Sequence, residues 1–164
     1  MMPAETWDSL KERVTAAEHP REMAIEVLLA CQRQAGYLTD EALEEASRLL
    51  GLTTLELEEL ATFYDFLYRE RVGRYVIHVC DGMVCWMFNH QSVVEYLSRR
   101  LGITPGGTTP DGLFSLLPIG CLGYCDRSPA MLVNGRLYGP LTPEMIERIL
   151  QDLRQQLPPP EEDR

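Results

Sequence analysis

The stretch "YVIHVCDGMVC", residues 75–85, decides how this chain folds. Its opening, Tyr75 to Val79, is a short apolar run with β-branched side chains and reads as a buried strand. Cys80 and Cys85 come next, with four residues between them. That gap does not suit the Cys-x-x-Cys of a dithiol redox motif or the usual zinc knuckle. What the pair does depends on the other cysteines.

A second apolar run, Leu113 to Ile119, follows the turn Asp111-Gly112 and leads straight into "GCLGYCD", residues 120–126. Cys121 and Cys125 therefore also lie just past a strand end. Val93, Val94, Leu97 and Leu101 mark a helix between the two strands, a βαβ-like beginning. Loops that leave neighbouring strands in the same direction converge, which brings four thiolates around one centre. Soft sulfur ligands of this kind select zinc or an iron–sulfur cluster. Structural zinc takes pairs with two to four intervening residues, so gaps of four and three leave it open. A binuclear iron site spreads its ligands over two metals and accepts wider loops, and the C-x4-C half matches the opening of the plant-type ferredoxin spacing. A 2Fe–2S cluster with four thiolates carries about −2 and needs backbone N–H donors beside its sulfurs. Gly82, Gly120 and Gly123 permit such an approach, and Cys85 is expected to open the helix toward Leu101, where the dipole favours a thiolate. Cys31, on the apolar face of a distant helix, reads as a structural thiol.

Residues 5–70 are helical in pattern: Ala24, Leu28, Cys31 and Ala35 share one face, as do Leu57, Leu60, Ala61 and Tyr64. Thr39 before Asp40-Glu41, Gly51 after Leu50 and Thr53-x-x-Glu56 punctuate the helix ends. Beyond the second cysteine pair, residues 130–133 and 136–138 flank Asn134-Gly135, the signal for a two-residue type I′ hairpin. Thr142 and Pro143 then open a last helix carrying Met145, Ile146, Ile149, Leu150 and Leu153. The expected architecture is of the α+β / α/β kind. An N-terminal helical bundle (residues 1–72) precedes a domain with a small mixed sheet (73–157) and a polar, Pro-rich, disordered tail (158–164).

Composition narrows the function classes. With 164 residues and 45% hydrophobic content, a real core is available. Twenty-five acidic against fifteen basic residues give a net charge of −10, with no basic stripe for nucleic acid. No apolar run reaches membrane-spanning length, and the opening MMPAETWDSLKERV lacks a signal peptide's apolar core, so a cytoplasmic chain without direct membrane insertion is expected. Five cysteines in a reducing compartment point to a metal or redox centre before disulfides. No G-x-G-x-x-G follows a strand, so a nicotinamide site is not expected on this chain.

C-x4-C and C-x3-C separated by 35 residues, with "ELATFYDF" upstream, "LLPIGCLGYCDRSPAMLVNG" around the second pair and "LTPE" after it, closely resemble the 24-kilodalton subunit family of NADH:quinone oxidoreductase, respiratory complex I, in its bacterial form. The resemblance spans about residues 20–155. It implies a thioredoxin-like 2Fe–2S ferredoxin domain behind the helical bundle, with Cys80, Cys85, Cys121 and Cys125 as the cluster ligands. It also implies a partner subunit that binds FMN and NADH, a further iron–sulfur subunit, and a location peripheral to the inner membrane as part of the complex. Trp86 and Met87 depart from some relatives, which bears on solvent access and potential. Equivalent subunits of NAD-linked hydrogenases and formate dehydrogenases share the pattern, and a zinc-stabilised, non-redox interaction module is the alternative of a different class. A thioredoxin-like thiol enzyme lacks its Cys-x-x-Cys.

Smaller features carry expectations too. Phe63, Tyr64, Phe66 and Tyr68 read as core before docking surface. The Ser128-Pro129 bond is expected to be trans. His19, His78 and His90 read as surface or packing residues. Asp81 and Asp126, each directly after a cysteine, either tune the centre by charge or point into water.

Overall fold

Thr39 accepts a hydrogen bond from the Ala42 N–H at the start of one helix, and Thr53 and Glu56 cap each other's backbone at the start of the next, so the expected caps form. The computed structural model describes residues 7–156. It divides into two compact units, Met1–Val72 and Gly73–Arg164. The expected disordered tail lies outside the described residues.

Among the described residues, the first unit holds helices α1 (Trp7–Ala16), α2 (Ala24–Ala35), α3 (Asp40–Leu50) and α4 (Thr54–Phe63), with a 3-10 turn at Pro20–Met23. Gly36 and Gly51 end α2 and α3 in the left-handed conformation, at φ 82° and 67°. Leu10, Val14, Val27, Leu28, Leu38 and Leu57 form the centre of its core. The segment after α4 is tied down by polar bonds. Gln32 donates to the Phe66 carbonyl at 2.9 Å, and Arg69 pairs with Asp40 and Glu58 at 2.6 and 2.8 Å. The aromatic run is not core as expected: Phe63 is 76% and Phe66 42% exposed, while Tyr64 packs partly against the core. The helical periodicity ends at Phe63, so the residues beyond it no longer share the buried face.

The second unit is built on a four-stranded mixed sheet in the order β2-β1-β3-β4. Strands β1 (Tyr75–Cys80) and β2 (Phe114–Ile119) run parallel, while β3 (Met131–Val133) is antiparallel to β1 and to β4 (Arg136–Tyr138). Parallel pairing requires a crossover, here α5 (Met83–Met87) and α6 (His90–Leu101); α7 (Pro143–Gln155) closes the chain. Ile77 and Val79 of β1 share a core with Val93, Leu97 and Leu101 of α6 and with Ile146, Ile149, Leu150 and Leu153 of α7. Full burial of each such aliphatic side chain is worth roughly 1.5–3 kcal/mol. Positive φ at both Asn134 and Gly135, 44° and 85°, gives the expected hairpin turn. This is the architecture expected, a helical bundle followed by a unit with a small mixed sheet covered by helices.

Two local expectations change. Cys85 does not open the helix that runs to Leu101. It lies in the separate short helix α5, and Asn89, at φ 71°, turns the chain before α6 starts at His90. The Ser128–Pro129 peptide is cis rather than trans, in a segment whose neighbours hold it from both sides. The Ala130 carbonyl accepts from the Cys80 N–H at 3.1 Å, and the Pro129 carbonyl from the Leu141 N–H at 2.9 Å.

Candidate metal centre

The parallel register sets Cys80, the last residue of β1, opposite Ile119, the last of β2. The Asp81 N–H donates to the Ile119 carbonyl at 2.8 Å, and beyond that bond both chains leave the same end of the sheet. Cys80 and Cys85 are buried against Ala130, with Leu122 and Tyr124 packed alongside; Cys121 and Cys125 are exposed. The two loops touch at Gly82. A Cβ there would stand 3.2 Å from the Cys121 Cβ and 3.3 Å from its sulfur, so this position has no room for a side chain without pushing Cys121 away.

The sulfurs feel one another. Cys121 and Cys125 Sγ are 3.9 Å apart. Two sulfurs each about 2.3 Å from one tetrahedral ion lie roughly 3.8 Å apart, so this pair already has the spacing of two ligands on one metal. Backbone N–H groups aim at the sulfurs. Burial raises the Cys80 thiol above its ordinary value, the N–H groups of Leu122 and Gly82 pull it down, and the neighbouring Cys85 thiol raises it again. Cys121 is lowered, chiefly by the Gly123 N–H and then by Cys125 and Cys80. Cys125 is raised, first by its bond with Cys121, then by burial and by the charges of Cys121, Cys85 and Cys80. Four thiols this close cannot all ionise unaided, and positive metal charge is what would hold them as thiolates. Among the described residues, no three His, Cys, Asp or Glu side chains surround one point closely enough to hold a single metal ion. Two sulfur pairs with amide donors fit a binuclear group better than a mononuclear one.

Neighbouring residues escaped the sequence reading. His90, expected to be a surface or packing residue, is buried and donates from Nδ1 to the Cys80 carbonyl at 2.9 Å. Asp81 accepts from Trp86 Nε1 at 2.5 Å and lies 3.6 Å from His90 Nε2, while the Trp86 and His90 rings stack at 4.9 Å. Asp81 is thus held beside the loop, whereas Asp126 is exposed and faces Arg127 at 3.7 Å. Ser128 also reaches the thiols, with Oγ 3.5 Å from Cys85 Sγ. Its one sequence signal is its place three residues after Cys125, on the C-terminal side of the 3-10 turn Cys125–Arg127. Cys31 lies in the other unit, buried, with its thiol pushed up to about 11 mainly by burial.

Comparison with known proteins gives concordant results. The family model for "Thioredoxin-like [2Fe-2S] ferredoxin" matches residues 10–154. A subunit of the NADH-quinone oxidoreductase of Pseudomonas aeruginosa is 39% identical over 143 residues, 87% of this chain and 86% of that protein. Its counterpart in the NADH-quinone oxidoreductase of Escherichia coli K12 is 38% identical over 144 residues, 88% of this chain and 87% of that protein. Among solved structures, an air-oxidized NAD+-reducing [NiFe]-hydrogenase superimposes with a TM-score of 0.68 at 29% identity, covering 80% of this chain. The match spans only 23% of that longer hydrogenase chain.

Proposed function

The chain belongs to the thioredoxin-like 2Fe–2S ferredoxin family, and from that membership we propose that it is the iron–sulfur electron-transfer subunit of the NADH-oxidising module of an NADH:quinone oxidoreductase. In this reading Cys80, Cys85, Cys121 and Cys125 would hold one 2Fe–2S cluster. The observation that carries it is the meeting of two cysteine pairs at the ends of parallel strands, with sulfurs 3.9 Å apart in one pair and amides aimed at both. When bound, the cluster supplies storage for one electron at a time. The protein's part is to hold and tune it. Cys80 and Cys85 keep their sulfurs from water, and exposed Cys121 and Cys125 present the edge that a partner reaches. The N–H groups of Gly82, Leu122 and Gly123 offset negative charge at the sulfurs. Single electrons pass between this chain and FMN in a partner subunit that also binds NADH, and a further iron–sulfur subunit completes the module.

The hydrogenase likeness supports a second reading, the equivalent part of an NAD-linked hydrogenase. Coverage favours the first, because the chain spans most of the two quinone-oxidoreductase relatives but under a quarter of the hydrogenase chain. The family model that matches residues 10–154 describes a 2Fe–2S protein, which favours iron over a zinc module. No helix of the described residues is long and apolar enough to cross a membrane, consistent with a peripheral place in the complex. The test is anaerobic purification from its own cells, with iron and sulfide analysis and identification of what co-purifies. A red-brown protein with two irons per chain, together with a flavoprotein that oxidises NADH, is the expected result. A colourless zinc protein, or NADH turnover by the flavin-free chain alone, overturns it.

A further inference from the structure

Ser128 is 9% exposed, and its hydroxyl stands between two of the four cysteines. It donates to the Cys125 carbonyl at 3.0 Å and lies 3.5 Å from Cys85 Sγ. A hydroxyl has one proton to give and two lone pairs to offer. A carbonyl only accepts, so the bond to Cys125 takes that proton. Cys85 as a thiol satisfies the geometry by donating its own proton to Ser128 Oγ. Cys85 as a thiolate ligand has none to donate, and the hydroxyl then faces two acceptors with a single proton. The sulfur is the acceptor that gains negative charge when one electron arrives, while the carbonyl is unchanged.

We propose that Ser128 is a positioning residue for electron storage: its hydroxyl turns from the Cys125 carbonyl toward Cys85 Sγ and stabilises the reduced form of the centre. The inference rests on the reading of Cys85 as a cluster ligand. One electron enters from a one-electron donor such as a reduced flavin. No covalent bond forms or breaks, and the proton stays on Ser128 while its hydrogen bond moves. Hydrogen bonds to ionised acceptors are the strong ones, and the burial of this hydroxyl keeps water from replacing it.

The experiment uses the full cluster-bearing chain and compares wild type, Ser128→Ala, Ser128→Gly and Ser128→Thr by potentiometric titration, followed by the paramagnetic signal of the reduced protein. Removing the hydroxyl should lower the one-electron reduction constant about tenfold, a midpoint shift of about −59 mV, while Ser128→Thr stays near wild type. Equal midpoints in wild type, Ser128→Ala and Ser128→Gly overturn the proposal and leave the cluster assignment standing. Loss of the cluster from both hydroxyl-free variants overturns it as well, because Ser128 is then a structural residue only. A Cys85→Ala chain that keeps its full iron and wild-type spectrum breaks the ligand reading itself, a separate result.

Discussion

Cys31 in the helical unit and Cys121 in the sheet unit are the same residue made into opposite things. Cys31 belongs to the apolar core that holds Leu28, with the Ala42 carbonyl 4.0 Å from its sulfur, and burial, more than any charge or backbone group near it, pushes it up to about 11. Cys121 is exposed and lowered, with the Gly123 N–H aimed at its sulfur. Apolar burial makes a cysteine a small inert hydrophobe, whereas oriented amides and neighbouring sulfurs favour the thiolate, the form that the proposed ligand role requires. Residue type therefore says less about function than the backbone groups that surround it.

The largest test of that contrast is removal. Cys80→Ala, Cys85→Ala, Cys121→Ala or Cys125→Ala should each abolish the visible absorption and the bound iron, because a methyl group cannot replace a thiolate. Cys31→Ala should keep both and cost about 1 kcal/mol in chemical denaturation. A bleached Cys31→Ala chain would break the comparison.

Reactivity grades the same contrast. In the metal-free chain at pH 8, a thiol at about 11 is only about one part in a thousand thiolate, and burial slows it further. Cys121 should therefore be alkylated by iodoacetamide at least about a hundredfold faster than Cys31, as read by mass spectrometry. Because the thiolate is the nucleophile, both rates rise with pH, and that of Cys121 levels off at the lower pH. Equal rates for the two would remove the electrostatic part of the argument.

Glycines extend it to the backbone. A Cβ on Gly139 would collide with the Arg127 carbonyl oxygen, in the turn that carries Cys125 and Ser128, whereas one on Gly36 meets open space. Gly139→Ala should cost about 3 kcal/mol and reduce iron loading. Gly36→Ala should cost about 1 kcal/mol through its positive φ alone, with loading unchanged. Denaturation midpoints and iron content of both variants decide this.

The smallest effect is expected at a helix end. Thr53→Ala removes half of the capping box and should cost about 1 kcal/mol while the visible spectrum stays as it was. A changed spectrum would mean that the helical unit tunes the centre, sharpening the contrast into a dependence.

What could be read in advance divides along the same line. The caps at Thr39 and Thr53, the Asn134-Gly135 turn and the amphipathic α7 are local, set by residues within one or two turns of each other. Two cysteine pairs at two strand ends are visible for the same reason. Asn89 in the left-handed region, which separates α5 from α6, has no pattern that announces it. His90 and Ser128 depend on contacts 10 and 43 residues away in the chain, with Cys80 and Cys85 respectively. Periodicity cannot see such distances, and a buried histidine at a helix start looks like packing until its carbonyl partner is known.

The parallel pairing of β1 with β2 also sets a timetable for synthesis. Thirty-five residues lie between Cys85 and Cys121. At about 5–20 residues per second, a ribosome delivers the second pair roughly two to seven seconds after the first. During that interval Cys80 and Cys85 stand beside a strand with no neighbour, since β3, whose segment carries Ala130, emerges later still. Loop closure must precede the meeting of all four sulfurs. In the proposed reading, the complete site therefore exists only once the chain beyond Ala130 has left the exit tunnel, and a truncated nascent chain presents half of it.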